Sequence, residues 1–145
     1  MPEKSQEAYR KVFNALKELI PNFAPQTVMT DFEKGSINAY NEVFPSIQTS
    51  SCFFHLSQSV WRKIQSLPTI RAKYSQDPEY ARYCRMIPAL AFVHPSNVVE
   101  AFEQLETSSY IEKHDEFVDL FSYFENNYIG RFTRAARRQP SFPIS

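Results

Sequence analysis

Apolar positions along the first third of the chain recur at helical spacing. Tyr9, Val12, Phe13, Leu16, Leu19 and Ile20 share one face of a helix from about Gln6 to Ile20. Pro21 stops it, because proline has no N–H to continue the ladder. Thr27 to Thr30 reads as a short buried strand. Thr30 followed by Glu33 has the spacing of a capping box, so the next helix is expected to start there and bury Ile37, Tyr40 and Phe44 before Pro45. Ile47 to Phe54 is the second strand candidate. Leu56, Val60, Ile64 and Leu67 predict a third helix, ended by Pro68.

The order helix, strand, helix, strand, helix implies parallel strands joined by a crossover. Two strands leave two open edges and make a marginal sheet. Either another copy pairs with them, or leading strands have been lost. The start at Met1-Pro2-Glu3-Lys4, almost directly before a helix, favours loss.

The second half changes character. Asp77-Pro78 opens a helix carrying Tyr80, Tyr83, Cys84 and Ile87, which Pro88 should break or kink. Asn97 with Glu100 has capping-box spacing ahead of Val98, Phe102 and Leu105. A longer helix from about Asp115 should bury Phe117, Leu120, Phe121, Phe124 and Tyr128. Gly130 fits the position just past its end. Residues 131–145 read as an extended tail, and no strand is expected in this half. The fold class is therefore α/β passing into mostly α.

Hydrophobic residues are 43% of the 145, enough for a packed core rather than a disordered chain. Phe and Tyr supply nearly all of the aromatics, so that core should be rich in rings. Only Gly35 and Gly130 are glycines, which excludes a Gly-rich phosphate loop. Net charge is zero, so nothing draws the whole chain to nucleic acid or membrane. Locally the balance is uneven. Acids dominate from Glu100 to Glu125, whereas Arg131, Arg134, Arg137 and Arg138 meet no acid. That basic segment suits either phosphate contact or a solvated connector. Cys52 and Cys84 form no disulfide framework, and no run has the length and apolarity of a leader or membrane span. An intracellular setting without membrane contact is the default.

Asp31 is the strongest candidate for chemistry. A carboxylate at a strand end is held rigidly, and paired metal ions in phosphoryl transfer are bound by such groups. A helix-start Asp is equally favoured by the macrodipole. Glu33 is explained by capping. Cys52 and His55 have one spacing element of a zinc site, but zinc takes about four ligands, and Cys84, His94 and His114 supply no second close pair. Cys/His nucleophilic catalysis would lack an orienting carboxylate. Arg62 and Lys63 should face water beside Trp61, where they could touch a DNA backbone.

Taken together, Thr30-Asp31-Phe32-Glu33, Ile37-Asn38-Ala39, Phe44-Pro45, Cys52-Phe53-Phe54-His55-Leu56 and Trp61-Arg62-Lys63-Ile64 resemble the central block of Mutator-like element (MULE) transposase domains. Ala89-Leu90-Ala91-Phe92-Val93, Tyr123-Phe124-Glu125 and Tyr128-Ile129-Gly130-Arg131 extend the resemblance along the chain. It implies a DDE-type enzyme of RNase H-like fold, in which two Asp and one Glu bind Mg²⁺ or Mn²⁺ to cut and join DNA in the nucleus. Asp31 matches the second Asp, and Cys52 with His55 matches the Cys-x-x-His signature that follows. On this reading residues 1–67 are a partial RNase H-like core, 68–130 a helical insertion and 131–145 a basic tail. No residue matches the first Asp or the final Glu.

The resemblance and the strand count point to a fragment or decayed copy that is inactive alone and binds no metal tightly. The alternative is a domesticated, non-catalytic module that binds DNA or protein. A third reading is an unrelated α/β domain that self-associates through its open sheet edge.

Overall fold

The structure, a computed structural model, describes residues 5–142. The expectation built on Met1 to Lys4, and the end of the tail at 143–145, lie outside the described residues. The chain divides into two compact units, Met1–Cys52 and Phe53–Ser145.

In the first unit α1 (Gln6–Leu19) starts at Ser5, whose Oγ accepts from Ala8 N at 3.3 Å. It packs on α2 (Lys34–Val43). Between them Phe13, Ala39, Val43 and Phe44 are buried, with Tyr9, Leu16, Phe23, Tyr40 and Ile47 against this cluster. Phe13 stacks on Tyr40 with centroids 4.1 Å apart. The buried stripe of α2 is Ser36, Ala39 and Val43, whereas Ile37 is only half-buried. The backbones come close at the start of α2, where a Cβ on Gly35 would stand 3.2 Å from Gln6 N.

Strands β1 (Thr27–Thr30) and β2 (Gln48–Ser51) pair in parallel, Thr27 opposite Gln48 and Thr30 opposite Ser51. With α2 between them they form the expected βαβ unit. Strand β2 is shorter than its sequence suggested, because Phe53 and Phe54 belong to the following helix. The Thr30 capping box does not form. Thr30 is the last residue of β1, its carbonyl accepts from Cys52 N at 3.0 Å, and its Oγ1 donates to the Asp31 carbonyl. Helix α2 therefore starts later, with Glu33 at its N-cap. Val12 and Leu19, read as core, are exposed, Leu19 at 77%, and Met29 is 72% exposed on the outer face of β1.

The second unit is helical: α3 (Phe53–Ser66), α4 (Pro68–Gln76), α5 (Pro78–Ala89), α6 (Val98–Glu106) and α7 (Val118–Phe124), which runs on as a π turn, Glu125–Ile129. Helix α4 lay hidden in the sequence behind Pro68, which opens it at its first turn rather than ending α3 into a loop. Asp77 caps α5, its Oδ1 accepting from Glu79 N at 2.8 Å and Tyr80 N at 3.2 Å. Pro88 lies so near the end of α5 that the helix continues through it. Asn97 makes no side-chain cap, and Glu100 accepts from Gln104 instead.

The core of this unit is a ring stack. Phe102 packs on Phe121 and Phe124, Phe124 on Tyr128, and Tyr80 on Phe117 at 4.5 Å. All five positions expected from the α7 pattern are buried. Residues 131–138, expected to be extended, turn back on themselves. Phe132 and Arg137 form an antiparallel bridge, and Arg138 N donates to the Arg131 carbonyl at 2.8 Å. The fold is thus mostly α, with one small parallel sheet.

Cys84, fully buried on α5, has its thiol pushed up to about 12, chiefly by desolvation. An unfolded thiol ionises near 9. The proton is therefore held more tightly in the folded state, and its contribution to stability is lost as pH rises from about 9 through about 12. A thiol reagent at pH 8 should label half-buried Cys52 in the native chain and reach Cys84 only after denaturation. Equal native rates would contradict this placement.

Candidate functional site

The parallel register builds the site. Because Thr30 lies opposite Ser51, the next residues, Asp31 and Cys52, leave the C-terminal ends of adjacent strands side by side. In parallel α/β units this end of the sheet is where ligands bind, since the chain turns away and leaves a crevice. Asp31 is half-buried in the three-residue turn between β1 and α2. Glu33, in the same turn, accepts the Tyr9 hydroxyl proton at 2.9 Å. Tyr9 holds its phenolic proton above the usual range, first through that hydrogen bond, with desolvation and the charges of Glu33 and Asp31 adding to it. Helix α1 therefore brings Tyr9 against the candidate site, a neighbour that the local sequence around the strand end does not reveal.

Asp31 and Cys52 sit in the first unit; His55 is exposed on the first turn of α3, in the second. Its ring makes an edge contact with Phe54. Among the described residues no group of three or more His, Cys, Asp or Glu could hold a metal ion. Asp31 and its neighbours therefore do not by themselves fit a two-metal centre.

The candidate phosphate contacts divide. Arg62 is exposed, but Lys63 is half-buried with its ammonium 5.6 Å from the Tyr123 ring centroid. Arg131, Arg134 and Arg138 are exposed on the 131–138 turn. Arg137 is committed elsewhere: it pairs with Glu125 at 3.0 Å and with Glu103, and donates to the Gly130 carbonyl at 2.6 Å. This inward use explains why a segment with no acid of its own can fold back.

A half-buried carboxylate just past the first strand of a small parallel βαβ unit is thus the centre of the candidate site. Residues 1–59 match the family model of the MULE transposase domain. The match takes in Asp31, Cys52 and His55 and ends inside α3, so residues 60–145 lie beyond it. No curated protein and no solved structure matches the chain. Among the described residues no helix is long and apolar enough to cross a membrane.

Proposed function

We propose that this chain is part of a DDE-type MULE transposase whose 145 residues are catalytically incomplete. Asp31 is the one metal ligand they contribute, toward Mg²⁺ or Mn²⁺ in an intact enzyme, on an RNase H-like core of which residues 1–67 are a piece. The observation that carries this is the place of Asp31, within the family match and at the C-terminal end of a parallel strand. A single carboxylate does not fix two metal ions in line with a phosphorus atom. Offered supercoiled DNA with Mg²⁺ or Mn²⁺, the isolated chain should leave it intact. The cellular setting that fits is the nucleus, where the DNA is.

A second reading draws on the 131–138 turn. Arg131, Arg134 and Arg138 point three exposed cations outward from one short turn, an arrangement that suits non-specific phosphate contact. Replacing these three with Ala should weaken duplex binding measured at low salt and reduce its salt slope by roughly 2 to 3. An unchanged slope would remove the turn from the interface. Self-association through the open edges of the two-stranded sheet is the remaining reading, since each strand has one partner among the described residues.

A further inference from the structure

The second unit has a groove that the transposase reading does not use. It runs along α3 between α5 and the end of α4, a cavity of about 300 Å³ lined by Phe53, Val60, Trp61, Ile64, Tyr74 and Arg85 among others. Phe53 to Ile64 is three turns of α3, roughly 16 Å of length. Its rings are not sealed by the fold. Phe53 and Trp61 are each about two-fifths exposed, and Phe92, packed on Phe53 at 4.6 Å, continues the apolar rim at 75% exposure. Trp61 meets Tyr74 edge-on at 5.0 Å, which fixes the wall at that end. Apolar rings left open to water along a channel mark a binding surface.

Charge says what kind of occupant fits. Arg85 is the only charged residue in the lining. Its guanidinium leans on Tyr74 and forms no ion pair with a described residue. The helices that wall the groove, residues 53–89, carry Arg62, Lys63, Arg71, Lys73, Arg82 and Arg85 against only Asp77 and Glu79. Of these cations, Arg82 pairs with Glu79 and Lys73 with Glu116. The groove is therefore an apolar floor with one cation, Arg85, in its wall, on helices whose charge is net positive although the chain as a whole is neutral. A long channel between helices also offers no free strand edge, so an added strand has nothing to pair with here.

We infer that this groove binds an acidic amphipathic helix of a partner protein. Large apolar side chains of that helix enter between Phe53, Trp61 and Tyr74, and a carboxylate beside them meets Arg85. The inference is independent of Asp31 and of the arginines on the 131–138 turn.

Trp61 is the only tryptophan, so its emission reports occupancy of the groove directly. The probe is a short synthetic helix with Leu and Phe on one face and Glu on the other, compared with its Lys-faced counterpart. The Glu-faced peptide should shift Trp61 emission saturably, and the Lys-faced one should bind at least about tenfold more weakly. Arg85→Glu should reverse that order, and Ser57→Phe, which fills the groove, should remove both signals. Arg85 is exposed and Ser57 half-buried, so circular dichroism of either variant should match the parent. The proposal is overturned if the two peptides bind equally, if Arg85→Glu changes neither, or if Trp61 does not respond. It is overturned equally if 2-naphthoate or a DNA oligonucleotide, rather than the Glu-faced peptide, occupies the groove.

Discussion

Gly130→Ala should destabilise the second unit by about 3 kcal/mol or more, through strain and lost contacts together. The residue sits at φ 91°, ψ 127°, just after the π turn. Side chains rarely adopt such a φ. Space is the larger obstacle: a Cβ there would lie 1.9 Å from the Arg138 carbonyl oxygen. That atom is backbone and cannot swing aside, so the 131–138 turn must move. Its movement would break the bond from Arg137 to the Gly130 carbonyl and disturb the pairs of Arg137 with Glu125 and Glu103. Denaturant unfolding followed at Trp61 measures the loss, and protease sensitivity of residues 131–138 shows whether the turn has peeled away. A variant that unfolds at the parent midpoint, with the turn still protected, would contradict the geometry.

Phe124→Ala should cost about 3 to 5 kcal/mol, the range for emptying a fully buried ring site. Phe124 has no exposed surface, and its ring packs on Phe102 and Tyr128. Tyr128 is tied in turn to α3, its hydroxyl donating to Ser59 Oγ at 2.9 Å, with Tyr123 on the same oxygen at 2.6 Å. A cavity at Phe124 thus loosens the α3–α7 seam as well as the ring stack. Whole-domain stabilities are of order 5–15 kcal/mol, so this loss removes a large part of the margin. The midpoint should fall with an unchanged denaturant slope. A loss under about 1 kcal/mol would mean that the site collapses freely and that the ring stack is not the core.

These two positions also show what the sequence reveals. The α7 face was readable because each apolar residue at helical spacing is buried, and Gly130 because a helix end with positive φ selects glycine. The same periodicity misled in α1. Val12 and Leu19 have the spacing of core residues but are exposed, since a pattern shows which face is apolar and not whether anything covers it. Helix α4 was missed because a proline that cannot continue one helix can begin the next, and because only Ile70 of α4 is buried. Both capping boxes failed for a tertiary reason or a local one: Thr30 is held in the sheet by Cys52, and a short Pro95–Asn97 turn leads into α6. In the candidate site, the position of Asp31 just past a strand end was legible from strand, turn and helix in succession. Tyr9 and the inward turn of Arg137 depend on contacts between distant parts of the chain and leave no local signature.

The reading of Asp31 as one ligand of an incomplete set is tested most directly on DNA. Purified chain, and its Asp31→Asn variant, would be incubated with Mg²⁺ or Mn²⁺, supercoiled plasmid and a labelled duplex end, and scored for nicks and joined strands. The account predicts no product above a protein-free control from either protein. Nicking or joining by the parent chain that Asp31→Asn abolishes would contradict it, by showing that these 145 residues hold a working metal centre.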